Sequence, residues 1–140
     1  GANSFIDVGS VRTLASEDKL WRKFDLAAVQ VEVAKGNTVL VDVTADWCLT
    51  CQVNKSLVLN RGRVAAILDA GRVVAMKADW TKPNAVISAY LRNFGRYGIP
   101  FNVVYGPQMP NGLSLPEILT ESAVLSAFKK VSGNSARSRL

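Results

Sequence analysis

Apolar runs alternate with amphipathic stretches along most of the chain, and glycine or proline separates many of them. Residues 38–44 (TVLVDVT) and 72–78 (RVVAMKA) are rich in β-branched and other apolar residues, which predicts two buried strands. A third strand is predicted at residues 101–105 (FNVVY) and a short fourth strand within residues 113–119. A turn rich in glycine and proline, residues 106–112, separates these last two strands.

The stretches between the strands predict helices, because their apolar residues recur three and four positions apart. Asp25 is a candidate N-cap for the first helix, a second begins near Cys48, and a last one contains residues 124–128. The earlier helices end at or near glycines: Gly36, Gly62, Gly71 and Gly95. Strands that alternate with helices, followed by two adjacent strands, predict the α/β class. We expect a central mixed β-sheet with helices on both faces.

The length of 140 residues suits a single domain with a substantial core. We assign residues 1–20 to an N-terminal extension, residues 21–131 to the folded domain and residues 132–140 to a flexible basic tail. Residues 1–4 are compatible with a cloning scar, which would make the chain a piece of a longer protein. No apolar run approaches the ~20 residues that a membrane helix needs, and the first residues do not resemble a signal peptide.

Composition excludes several classes of function. Seventeen basic and eleven acidic residues give a net charge of +6, but the basic residues are scattered outside the tail, so we expect no nucleic-acid partner. The absence of histidine removes Ser–His and Cys–His catalysis and histidine-ligated metal sites. Two cysteines are too few for a four-thiolate zinc or iron–sulfur site within this chain, and we expect no metal.

Cys48 and Cys51 form a CxxC motif that follows a predicted strand and opens a predicted helix. Two cysteines one helical turn apart bring their sulfurs close enough to bridge. Unpaired N–H groups at a helix start favour the thiolate, which can lower the pKa of a cysteine from about 8.5 to between roughly 3.5 and 7.5. We therefore expect Cys48 to attack and Cys51 to resolve the mixed disulfide. A fixed structural disulfide is the simpler alternative.

Asp42 lies within the apolar run 38–44, six positions before Cys48. A carboxylate inside a buried strand is costly unless it is paired or protonated, and a desolvated carboxyl group titrates closer to neutral pH. We predict that Asp42 is a buried acid that accepts the proton of Cys51 during resolution. The alternative is a charge at a strand edge, exposed to water.

Pro100 stands at the head of a predicted buried strand, directly after Ile99. Because cis peptide bonds are nearly confined to X–Pro and mark a required geometry, a cis Ile99–Pro100 bond would fit the dithiol motif. A trans proline that simply begins the strand is the alternative.

Four segments, TVLVDVTADWCLTCQVN, KADWTKP, GRYGIPFNVVYGP and LSLPEILT, together resemble the C-terminal thioredoxin-like domain of DsbD-type membrane electron transporters. The resemblance is greatest to the suppressor-of-copper-sensitivity branch, ScsB, and spans about residues 21–131. It implies a thioredoxin fold and a protein-disulfide reductase whose only redox group is the Cys48–Cys51 disulfide, with no further cofactor. It also implies a link to copper tolerance.

The resemblance further implies a place in an electron relay. In that family a membrane-embedded domain passes electrons to this domain, which hands them to an N-terminal domain of the same protein and to thioredoxin-like substrates in the periplasm. Carried over, Ile99 and Pro100 face the dithiol and the docked partner, and Trp47, Leu49 and Thr50 support the pair or contact partners. We expect a monomeric domain at the periplasmic face of a bacterial inner membrane.

Two other functions of the cysteine pair stay open. The two thiolates could bind copper(I) or another soft metal, although Met76 and Met109 are remote from them in sequence. The chain could also be a redox-inert interaction domain in which the disulfide is a structural clip.

Lys55 marks a departure from the resemblance. The DsbD domain has a glutamate seven residues after its first cysteine, where this sequence has Lys55. Because a nearby cation favours a thiolate and a carboxylate opposes it, we expect Lys55→Glu to raise the pKa of Cys48. Titration of thiolate absorbance in both proteins measures this, and equal midpoints would contradict it.

Overall fold

The structure, a computed structural model, describes residues 19–140, so most of the predicted N-terminal extension lies outside the described residues. The strands are β1 (Arg22–Lys23), β2 (Thr38–Thr44), β3 (Val73–Asp79), β4 (Phe101–Gly106) and β5 (Met109–Ser114). The helices are α1 (Leu26–Ala34), α2 (Leu49–Asn54), α3 (Gly62–Asp69), α4 (Ala85–Asn93), α5 (Glu121–Val131) and α6 (Asn134–Arg137). A π-helical segment, Lys55–Leu59, continues α2.

The strands form one mixed sheet in the order β1-β3-β2-β4-β5. β3 pairs in parallel with β1 and β2, whereas β4 pairs antiparallel with β2 and β5. β2 is therefore central, and all seven of its residues are buried. This arrangement is a thioredoxin fold, and it confirms the predicted α/β class.

Side chains alternate between the two faces of the sheet, and each face has its own core. Leu40 of β2 packs with the π segment, α3 and α5, while Val41 and Val43 pack with α1 and α4. Helices therefore cover both faces, as predicted. Among the described residues, no helix is both long and apolar enough to cross a membrane.

The boundaries differ from the prediction at the end of the sheet. Residues 109–112 were expected in a turn, but β5 begins at Met109 and ends at Ser114, before most of the predicted span 113–119. Pro110 is tolerated because β5 is an edge strand, where a missing N–H breaks no central ladder. Gly112 has φ +98°, and a Cβ there would lie 2.7 Å from Val103 and 2.8 Å from Tyr105. Only glycine fits this close approach.

The predicted tail, residues 132–140, contains a short helix. Residues 134–137 form α6, and Ala136 is buried. The side chain of Arg137 donates to the carbonyl oxygens of Lys129 and Ser132, which ties α6 to the end of α5. A Ser/Arg-rich composition concealed these side chain–backbone contacts.

Two buried tyrosines connect α4 to the sheet. The hydroxyl groups of Tyr90 and Tyr105 share a hydrogen bond. Burial raises the pKa of Tyr90 far above its ordinary value and raises the pKa of Tyr105 to about 12. The folded state thus favours neutral hydroxyls, and this contribution to stability is lost as pH rises from about 10 through these raised values.

We expect Tyr105→Phe to destabilise the protein by about 1–3 kcal/mol, because it leaves the buried hydroxyl of Tyr90 without this partner. Urea unfolding at pH 7 measures the loss. The double variant Tyr90→Phe/Tyr105→Phe is the control and should lose much less than the sum of the single variants, since no orphaned hydroxyl remains. Additive losses would contradict the coupling.

Candidate active site

The cysteine pair lies where β2 ends and α2 begins. Cys48 is the N-cap of α2, and its Sγ accepts a hydrogen bond from the backbone N–H of Cys51 at 3.2 Å. The two residues form a disulfide with a Cα–Cα distance of 5.2 Å. The predicted placement of the first sulfur at a helix start is confirmed. A thiolate on Cys48 would meet the same N–H donor.

The disulfide is nearly buried. Cys48 is 7% exposed and Cys51 2%, and both pack against Ala45 and Ile99. Cys48 is thus the sulfur nearer to solvent, and Cys51 lies one turn deeper along α2. A reactant that reaches the disulfide from solvent therefore meets Cys48 first.

Asp42 occupies the middle of β2 and is 3% exposed, so the alternative of a water-exposed edge carboxylate is wrong. It alternates with Val41 and Val43 and so shares the face of Leu40, which the π segment, α3 and α5 cover. The side-chain amide of Asn102 donates to Asp42 Oδ1 at 2.9 Å. The carboxyl group is buried and held by a neighbouring strand.

The loop before β4 reaches the disulfide. The Ile99–Pro100 peptide bond is cis, which confirms the geometry that the dithiol motif favoured. Ile99 packs against the cluster of Ala45, Cys48 and Cys51, and Pro100 is buried. Just upstream, the Arg96 guanidinium lies 5.0 Å from the centre of the Phe101 ring, a cation–π contact that ties the loop to β4. The cis-proline loop and the cysteine pair therefore lie side by side.

Exposed apolar side chains surround the pair. Trp47, Leu49 and Tyr97 are 61%, 78% and 81% exposed, whereas Thr50 is half-buried. Between Trp47 and the cis-proline loop lies a groove of about 580 Å³, whose lining also includes Trp80 and Pro83. A larger hollow of about 670 Å³ beside β1 contains none of the predicted site residues. The groove next to Trp47 and Ile99 is thus the one that borders the predicted site residues.

Thr81 and Asp79, which sequence reasoning missed, anchor the turn before Cys48. The Thr81 hydroxyl accepts from the backbone N–H of Asp46 at 2.9 Å and donates to the Asp79 carboxylate. The Trp47 indole N–H donates to the carbonyl oxygen of Thr81 at 3.1 Å. Thr81 thus joins the end of β3 to the residue that precedes the pair. The Asp-x-Thr spacing after a strand was the available signal.

Lys55 is half-buried at the start of the π segment. The pKa of Asp79 is lowered from its ordinary value, first by the Thr81 hydroxyl and less by the charges of Lys77 and Lys55. The cation at position 55 therefore acts on Asp79, and its effect on Cys48 stays a prediction.

The two methionines lie in other parts of the core. Met76 packs on the face that α1 and α4 cover, and Met109 packs against the cluster on the opposite face. Neither belongs to the cluster formed by Ala45, Cys48 and Cys51 with Ile99. The structure offers no thioether beside the cysteine pair within the residues it describes.

The fold and the cysteine site define the class of protein to which the chain belongs. The sequence matches the Thioredoxin-like family over residues 21–107, more than half of the chain, and the protein belongs to this family. The described disulfide and cis-proline loop lie within that matched region.

The chain is also similar to individual thiol:disulfide interchange proteins. The chain is 35% identical over 81 residues to the thiol:disulfide interchange protein DsbD of Ralstonia nicotianae. The match covers 58% of this chain and 13% of that protein. It is 32% identical over 82 residues to DsbD of Cronobacter sakazakii, covering 56% of this chain and 14% of the relative. The chain thus spans about one seventh of the length of these relatives.

Solved structures agree on the fold. The oxidised C-terminal domain of Neisseria meningitidis DsbD superposes with a TM-score of 0.60 at 21% identity, covering 78% of this chain and 97% of that domain. A thioredoxin from Thermus thermophilus gives 0.58 at 21% identity, covering 79% and 84%.

We expect Thr81→Val to raise the pKa of Asp79 towards its ordinary value, because the hydroxyl is the largest cause of the lowered value. Thr81→Ser keeps the hydroxyl and is the matched control. A carboxyl-carbon NMR titration measures the pKa in both variants and in the wild type. The same midpoint for Thr81→Val and the wild type would rule out this role of the hydroxyl.

Proposed function

We propose that this chain is a thiol–disulfide oxidoreductase domain that reduces disulfides in partner proteins. The observation that carries the proposal is the position of Cys48, whose sulfur caps α2 and accepts the N–H of Cys51 within a bridged pair. A helix start stabilises the thiolate, which is the attacking form in disulfide exchange. The family match and the DsbD relatives support the same chemistry.

The reaction follows from the order of the two sulfurs. In the reduced protein, the Cys48 thiolate attacks a partner disulfide, so a mixed disulfide forms and the partner's other sulfur leaves as a thiolate. Cys51 then gives its proton to Asp42 and attacks Cys48 Sγ. This closes the Cys48–Cys51 disulfide and releases the second partner thiolate. Two electrons have passed from this domain to the partner, and the described structure is the oxidised product.

The wider role we propose is a relay. A membrane-embedded domain of the same parent protein would reduce the disulfide again, and the domain would pass electrons to an N-terminal domain and to periplasmic thioredoxin-like proteins. The support is the likeness to DsbD, of which this chain matches a small part. On the same likeness, we propose that the domain lies at the periplasmic face of an inner membrane. Assignment to the ScsB branch, with its link to copper, remains a prediction from the quoted segments.

A redox-inert domain differs from this proposal in its reduction potential. Redox-active pairs lie between about −120 and −270 mV, while structural disulfides usually fall below about −300 mV. The exposed groove beside the nearly buried disulfide favours the exchanging pair, because a structural clip needs no docking surface.

We expect Cys51→Ala to accumulate mixed disulfides on Cys48, because the sulfur that releases the partner is gone. Non-reducing gels and mass spectrometry of the captured species measure this in an extract that contains periplasmic proteins. The Cys48→Ala/Cys51→Ala variant is the control and should capture nothing. If Cys51→Ala captures no protein, and Cys48 alkylates at pH 7 no faster than free cysteine, the proposed function is wrong.

A further inference from the structure

We propose that Asn102 is a positioning residue that keeps Asp42 ionised and correctly oriented to accept the proton of Cys51. This inference rests on the proposed function, since it concerns the step in which Cys51 resolves the mixed disulfide. It adds to the site a residue from β4 that carries no charge and does not titrate.

The geometry places Asn102 directly beside the acid. Asp42 and Asn102 are opposite residues in the antiparallel pairing of β2 with β4, so their side chains share one face of the sheet. Asn102 is 1% exposed, and its Nδ2 donates to Asp42 Oδ1 at 2.9 Å. The backbone carbonyl oxygen of Asn102 accepts the backbone N–H of Leu115 at 2.9 Å, which fixes the backbone of Asn102. Asn102 follows Pro100 by two residues, so one strand carries both the cis-proline and this donor.

The hydrogen bond between Asn102 and Asp42 favours one protonation state of the carboxyl group. A side-chain amide nitrogen can only donate, so this hydrogen bond is formed with an acceptor oxygen and favours the ionised carboxylate over the neutral acid. Burial has the opposite effect, because it disfavours the charged form. A group that must accept a proton has to be ionised beforehand. The amide of Asn102 therefore extends the pH range in which Asp42 is available as the base.

Other charged and titratable groups lie on the elements around Asp42. Lys77 is its opposite residue on β3, with Asp79 two positions further along that strand. Cys48 and Cys51 lie on α2, and Lys55 begins the π segment. Because these groups also influence Asp42, the role of Asn102 must be measured as a change that depends on Asp42.

A reaction with the aromatic disulfide 5,5′-dithiobis(2-nitrobenzoate) separates the two steps. The first coloured thiolate is released when Cys48 attacks, and the second is released when Cys51 resolves the mixed disulfide. We expect Asn102→Leu to shift the pH midpoint of the second phase upward by about one unit, so that resolution well below the midpoint is about tenfold slower. The first phase should keep its midpoint.

Two control variants separate this role from a structural one. Val104→Ala lies on the same strand and the same face, opposite Leu40, and should lower stability without moving the midpoint. In an Asp42→Asn background, Asn102→Leu should change the second phase no further. An unmoved midpoint in Asn102→Leu, or an equal shift in the Asp42→Asn background, would overturn the proposal. A wild-type protein with no second phase would instead refute the proposed function.

A measurement on the wild type covers the case in which Asn102→Leu does not fold. In the reduced protein, the side-chain amide NMR signals of Asn102 should follow the titration of the Asp42 carboxyl carbon with the same midpoint, because the two groups share a hydrogen bond. Amide signals that ignore this titration would contradict the inference.

Discussion

The burial of β2 on both faces is the constraint from which the site follows. Every residue of this strand is inaccessible, so its backbone is fixed by β3 on one side and β4 on the other. The turn that leaves it must therefore emerge at one defined place, and α2 starts there with Cys48 as its cap. A sulfur at that point meets backbone N–H groups whose direction the core determines. Thiol chemistry at the surface thus depends on packing in the centre.

The same constraint explains how Asp42 can be tolerated. A carboxylate in a central strand would be costly without partners, and Asn102 supplies a donor from the next strand. Pro100, at the start of that strand, is part of the loop that packs on the disulfide. The acid, its donor and the proline are therefore held by one strand pair. A change in the spacing of β2 and β4 would disturb all three together.

Sequence patterns were sufficient for the central parts of the fold. Apolar runs located β2, β3 and β4, and Asp25 and Gly36 marked the two ends of α1, because caps and left-handed residues are local requirements. The sequence patterns failed where tertiary contacts determine the local structure. Pro110 and Gly112 predict a turn by local rules, but an edge strand accommodates the first and crowding by Tyr105 requires the second. The two-residue β1 has no periodicity to detect.

The candidate site likewise contains some residues that the local sequence indicates and others that it does not. Cys48, Cys51, Asp42 and Pro100 stood out because each is chemically unusual in its local sequence. Thr81 and Asn102 did not, since a threonine after a strand and an asparagine inside one acquire their roles only through partners that are 35 and 60 residues away in sequence. No local pattern encodes these long-range pairings, although the Asp-x-Thr spacing does indicate the contact between Asp79 and Thr81.

The π-helical segment after α2 has a consequence for judging from the sequence which positions are buried. Such a segment has about one residue more per turn than an α-helix, so each of its residues turns the chain by a smaller angle about the helix axis. Val58 and Leu59, at its far end, both reach the core. The side chains after Lys55 therefore do not follow the period of α2. Counting in helical turns from Cys51 would assign residues beyond this segment to the wrong face.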